Sequence, residues 1–192
     1  MERSDWTTRW RYVAGVAACA VLGWFTFRSE PVPLLWRADL GFHELGHFLT
    51  YWLPDLGTAL MGSVSQVAIP LALAGYFAIK QKDLLGAGVC TGWAGSSLQN
   101  VSVYVADAPF QVLPLIGGEH DWAFILGELD ALDAASGLAL TLRVVAILLV
   151  LAGAAVCSWG LLRARIEPTI VSPGGPRLAP SPATHPSGFP RG

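Results

Sequence analysis

Long charge-free runs separated by short charged links set the pattern of this chain. No Asp, Glu, Lys or Arg occurs in Leu56 to Ile79, in Leu84 to Ala106 or in Val144 to Leu162. Wound as helices rising about 1.5 Å per residue, all three are long enough to cross the ~30 Å hydrocarbon core of a bilayer. A shorter run, Tyr12 to Phe27, precedes them. A soluble domain of 192 residues could not hide so much uncharged surface. The pattern therefore predicts an all-α, multi-pass helical membrane protein with about four spanning helices. Residues 1–166 form the membrane domain. After Ile166 the sequence turns to Pro, Gly and Ser with no apolar period, which predicts a disordered tail over 167–192.

A fifth apolar segment, Leu34 to Leu53, differs because it carries Arg37, Asp39, His43, Glu44 and His47. Lys and Arg cluster at Arg3, Arg9 and Arg11, at Lys80 and Lys82, and at Arg163 and Arg165. Positive links tend to stay cytoplasmic. Placing all three clusters inside requires an even number of crossings between each pair, so one of the three apolar segments between Arg11 and Lys80 must not cross; Leu34 to Leu53 is the candidate, and a full five-crossing arrangement is the alternative. Leu34 to Leu53 is expected to dip in from the outer face and return, with Pro54 and Gly57 of "LPDLG" making the break. Both termini are then cytoplasmic, and the acidic link over 107–136 lies outside a cell membrane.

Composition narrows the function classes. The chain is 53% hydrophobic and 14% charged with a net charge of -2, and it has no basic block, which argues against nucleic acid as a partner. Cys19, Cys90 and Cys157 all lie inside apolar runs and read as small packing residues. The first run has a basic flank like a signal peptide, but Arg-Ser-Glu-Pro follows it where a cleavage site would stand, so it is expected to be retained.

The stretch "FHELGHFLTYW" carries the chemistry. On a helix, His43 and His47 stack four residues apart on one face, with Glu44 beside them. Two neutral imidazoles bind Zn²⁺ well, and a glutamate so placed can take a proton from a water on the same ion. The bland reading is a pair of histidines bonded to backbone carbonyls. Ionisable groups inside a membrane are by default functional, which favours the metal.

"HELGH" opening a membrane helix resembles the membrane-embedded zinc metallopeptidases of the site-two protease type, over the stretch from Leu34 to Pro70. The resemblance implies peptide-bond hydrolysis in or near the bilayer, a membrane-associated protein or peptide substrate, His43 and His47 as zinc ligands, and Glu44 as general base. Those enzymes take a third ligand from an Asn-Pro-Asp-Gly-like motif on a later helix. No such motif occurs here.

For the third ligand the sequence offers His120, the one further histidine ahead of the tail, on the link that the orientation argument places on the same outer side. His120 is preferred, with Asp121 and Asp107 as alternatives. Gly117 and Gly118 would let the backbone turn there, and Trp122 suits an interfacial anchor.

Ser96, Asn100, Tyr104 and Asp107 fall at helical spacing on one side of the preceding run, a stripe that must face protein or a wet cavity. Asn100 is a candidate hydrogen-bond donor toward a substrate carbonyl, and helix adhesion is the equal alternative. Gly88, Gly92 and Ser96 form a ladder permitting close approach of another helix. Gly62, Ser63 and Gln66 either line a water path or pack, ahead of a kink expected at Pro70. The rival to a protease is a non-catalytic zinc protein, in which the same ligands staple the helix to the link for structure, sensing or docking.

Overall fold

The computed structural model describes residues 3–115 and 119–166. Six α-helices account for most of them: α1 (Arg3–Arg28), α2 (Leu35–Thr50), α3 (Asp55–Tyr76), α4 (Leu84–Asp107), α5 (Asp121–Glu128) and α6 (Ala135–Ile166). There is no strand among the described residues, so the all-α expectation holds. The expected tail over 167–192, with Gly117 and Gly118, lies outside them.

Three stretches, Trp6–Arg28, Asp55–Gln81 and Leu132–Ala164, are long and apolar enough to cross a membrane. Their outward residues include Val21, Trp24, Leu148, Leu151 and Trp159, all exposed, as side chains bathed in lipid would be. The fourth expected span, α4, is long enough at about 36 Å but less apolar. Its Gly, Ser, Gln and Asn are tolerated because α1, α3 and α6 surround it.

Helix directions follow from the contacts. Cys19 of α1 lies beside the Gly88 carbonyl and Ser29 beside Gln99, so α1 and α4 run the same way. In α6, Arg143 donates to the Phe27 carbonyl at 3.0 Å and Gly160 meets Tyr12, so α6 returns. The start of α1 and the end of α6 therefore share one end of the bundle. The α4–α6 link is at the other.

Glycine lets α4 and α6 touch. A Cβ at Gly153 would lie 2.7 Å from the Gly92 nitrogen, and one at Gly88 would lie 2.7 Å from the Gly153 carbonyl oxygen. The predicted ladder thus meets a glycine on α6 that the sequence pattern did not single out.

The orientation of α2 departs from the expected dip. Asp39 bonds to Trp93 and Ser97, while His43 packs on Tyr104 further along α4, so α2 runs in the same sense as α4. The cause is that α1 ends level with Gln99, partway along α4, and the link after it turns at Ser29 and Leu34, both with positive φ. The reversal comes later, at the α2–α3 turn. Pro54 caps α3 with φ -55°, and the Thr58 hydroxyl donates to the Thr50 carbonyl at 2.9 Å. Gly57 is not part of the break but lies in the first turn of α3. Pro70 is buried within α3, which continues to Tyr76 and ends in a π-helical turn, Phe77–Gln81.

The described part of the link between α4 and α6 holds α5 and a 3-10 turn, Leu132–Ala134. One further reading changes. Trp122 is a buried core residue and no interfacial anchor, because its indole N–H donates to Ser63 Oγ at 2.9 Å.

The helix contact is testable by thermal unfolding in detergent. Gly153→Val should destabilise by about 1–3 kcal/mol through overpacking. Gly137→Ala, on the open face of the same helix where a Cβ meets nothing within 4 Å, should be neutral or stabilise by up to about 1 kcal/mol.

Candidate metal centre

His43 and His47 sit where α2 lies along the first half of α3. Gly46, between them in sequence, faces α3 so closely that a Cβ there would strike Ser65 Oγ and the Met61 carbonyl. Ser65 answers by donating to the Phe42 carbonyl at 2.7 Å. Gly62 lies under both rings: a Cβ there would stand 2.6 Å from His43 Nε2 and 2.6 Å from His47 Nε2. A cradle without a Cβ is what brings the two imidazoles together.

The hydrogen bonds on the far side of each ring fix its tautomer. His47 Nδ1 lies 2.9 Å from the Thr58 carbonyl, which can only accept, so Nδ1 carries the proton. His43 Nδ1 lies 3.2 Å from Gln66 Oε1. The Gln66 amide is oriented by its Nε2, which donates to the Ser97 carbonyl at 3.2 Å, so here too Nδ1 is the donor. Both Nε2 atoms are left with lone pairs, and they face each other 3.0 Å apart.

The third atom is a carboxylate oxygen. Asp121 Oδ2 lies 2.9 Å from His43 Nε2 and 3.4 Å from His47 Nε2. Three acceptors with no proton among them repel unless a cation sits between them. With zinc–ligand bonds of about 2.0–2.1 Å, tetrahedral ligands stand roughly 3.3 Å apart, close to the separations seen. His43, His47 and Asp121 form the one group among the described residues able to hold a metal ion.

The structure brings Asp121, the alternative third ligand, to the two imidazoles and places the preferred His120 elsewhere. His120 caps α5: its Nδ1 accepts from the Ala123 N–H at 3.2 Å, and its ring stacks on Tyr104 at 4.2 Å between centroids. Its Nε2 is buried without a hydrogen bond, 3.4 Å from Asp107 Oδ2. Asp107 is outside the His43, His47 and Asp121 group, and its carboxylate accepts from the Val112 and Leu113 N–H groups. Capping explains the exchange. A helix that starts at Asp121 directs that carboxylate toward α2 and buries the histidine before it.

The remaining predicted residues line a cavity of about 620 Å³ that reaches the three ligand atoms. Glu44 is exposed on its wall, with no hydrogen bond or ion pair among the described residues. Asn100 is on the wall too, with its side-chain amide donating to Asp39 Oδ2 at 3.1 Å. Asp39, 3% exposed, also accepts from Trp93 Nε1 at 2.8 Å and Ser97 Oγ at 2.6 Å, which ties α2 to α4. Sequence reasoning passed over Asp39, although its four-residue spacing from His43 was a signal that it shares the face of the ligands. Tyr104 appeared only as part of a polar stripe, and nothing in the sequence marked the Thr58 carbonyl.

No family model matches this chain, and neither the curated proteins nor the solved structures yield a match. Fold and site together define the class: a helical protein with three stretches long and apolar enough to cross a membrane and a His-His-Asp group that could hold a metal ion.

Metal analysis of purified variants separates the candidate ligands. Asp121→Ala should lower metal occupancy sharply, and Gly62→Ala should do so through its clash with both rings. His120→Asn, which keeps a capping side chain, should retain the metal; full loss in that variant would reinstate His120 as a ligand.

Proposed function

We propose that this chain is a membrane zinc metallopeptidase that hydrolyses a peptide bond in or beside the bilayer, with His43, His47 and Asp121 as ligands and Glu44 as general base. The observation that carries this reading is the convergence of two unprotonated imidazole nitrogens and one carboxylate oxygen on the wall of an open cavity. Structural zinc sites are closed by four protein ligands, whereas catalytic ones keep three and an open position. Two imidazoles and a carboxylate suit zinc among the available divalent ions. Zinc held there supplies a Lewis acid and makes hydroxide available near neutral pH.

The chain's own groups do the rest. Glu44, adjoining a ligand in sequence and unpaired on the cavity wall, takes the proton of the attacking water and delivers it to the departing amide nitrogen. Asn100, fixed by Asp39, offers its remaining N–H to the substrate carbonyl. The substrate is a protein or peptide segment associated with the membrane. Lys80, Lys82 and Arg163 lie near the end of the bundle that holds the start of α1, which supports cytoplasmic termini and a site toward the outer face.

Glu44→Gln tests the assignment. Purified wild type and variant should hold equal zinc, while new protein termini in membranes from expressing cells should appear with the wild type and vanish with the variant. Identical sets of termini would contradict a protease and leave a non-catalytic zinc centre.

A further inference from the structure

Tyr104 is the side chain that joins the pieces of the centre without belonging to the ligand set. Its hydroxyl oxygen accepts the Asp121 backbone N–H at 3.1 Å. One face of its ring stacks on His120, 4.2 Å between centroids and 25° between planes. It also meets the His43 ring edge-on at 6.1 Å. The phenol thus touches a ligand on α2, a ligand on α5 and the capping residue between α5 and its link. It lines the same cavity as all three ligands.

The need for such a residue follows from how Asp121 arrives. His43 and His47 come from one helix and are set by α3, so their nitrogens converge as soon as those two helices pack. Asp121 comes from a helix of 8 residues. A helix that short has little stability of its own, and its first residue has a backbone N–H that no intrahelical carbonyl can satisfy. The Tyr104 oxygen satisfies that N–H, and in doing so sets the distance between the start of α5 and α4.

We infer that Tyr104 is a positioning residue for the metal centre: its hydroxyl holds Asp121 in the coordination position, so that the third ligand is supplied only while α5 is docked on α4. This rests on the metal reading above but not on the peptidase reading, since it concerns how the site is assembled and not what it cleaves. Groups that orient metal ligands from behind are worth about 10–100-fold in metal affinity. The phenylalanine variant keeps the ring contacts with His120 and His43 and removes only the oxygen.

Co²⁺ titration of the full chain in detergent, followed by visible absorption, tests this directly. Tyr104→Phe should weaken Co²⁺ binding by about 10–100-fold and alter the absorption band, while the metal-free protein still unfolds cooperatively. Because the hydroxyl acts through Asp121, Tyr104→Phe placed on top of Asp121→Asn should cause no further loss. Affinity and band equal to wild type in the single variant would overturn the inference. So would a further loss of the same size in the Asp121→Asn background, which would make Tyr104 a general packing residue. A wild type that binds no Co²⁺ would instead remove the metal reading itself, and this inference with it. Metal binding without any effect of Glu44→Gln on cleavage would leave the inference intact while the peptidase reading fell.

Discussion

Two imidazole nitrogens facing each other across 3.0 Å with their lone pairs inward are the arrangement on which the rest of this structure turns. With both rings neutral the contact is repulsive, because the protons are held on the opposite nitrogens by Thr58 and Gln66. The Asp121 carboxylate adds a third acceptor to the same point. A buried hydrogen bond left unmade costs about 1–3 kcal/mol, so turning either ring to escape would give up the bond behind it. The sequence has thus built supports that force three acceptors together, an arrangement that a divalent cation would make favourable.

The packing serves the same end. Gly46 and Gly62 let α2 and α3 approach until both rings share one position, and Gly88 with Gly153 does the equivalent for α4 and α6 deeper in the bundle. In lipid there is no hydrophobic force between apolar helices, so close backbone contact and buried polar links must hold them. The Asp39 carboxylate, met by Trp93, Ser97 and Asn100, is such a link, and it fixes α2 against α4 one turn away from His43. Trp122 anchors α5 to α3 through Ser63. Each of the elements bearing a ligand is therefore tied to a helix long and apolar enough to be set in a membrane, or to the central helix those surround.

How much of this was legible in the sequence depended on the range of the interactions involved. Charge-free runs report a local property, burial in lipid, and they located α3, α4 and most of α6; α1 and α6 extend beyond their runs because amphiphilic ends such as Trp6, Arg9 and Arg143 continue the helix past the apolar part. The His43, Glu44 and His47 pattern is also local, since it needs only helical spacing. The third ligand is not. Choosing between His120 and Asp121 required knowing where α5 begins, and that boundary is set by a histidine acting as the cap, a role usually taken by Ser, Thr, Asp or Asn. The direction of α2 was likewise hidden, because it depends on where α1 stops against α4. Asp39, Tyr104 and the Thr58 carbonyl matter through tertiary contacts that no spacing rule encodes.

X-ray absorption at the zinc edge of the purified, zinc-loaded protein reports which atoms surround the ion, without a substrate. Ligation by His43, His47, Asp121 and a water should give four light ligands near 2.0–2.1 Å, with the multiple-scattering signature of two imidazoles and no sulfur. Three imidazoles in that shell would return His120 to the site, and sulfur at about 2.3 Å would place the metal somewhere else in the chain and contradict the centre as described.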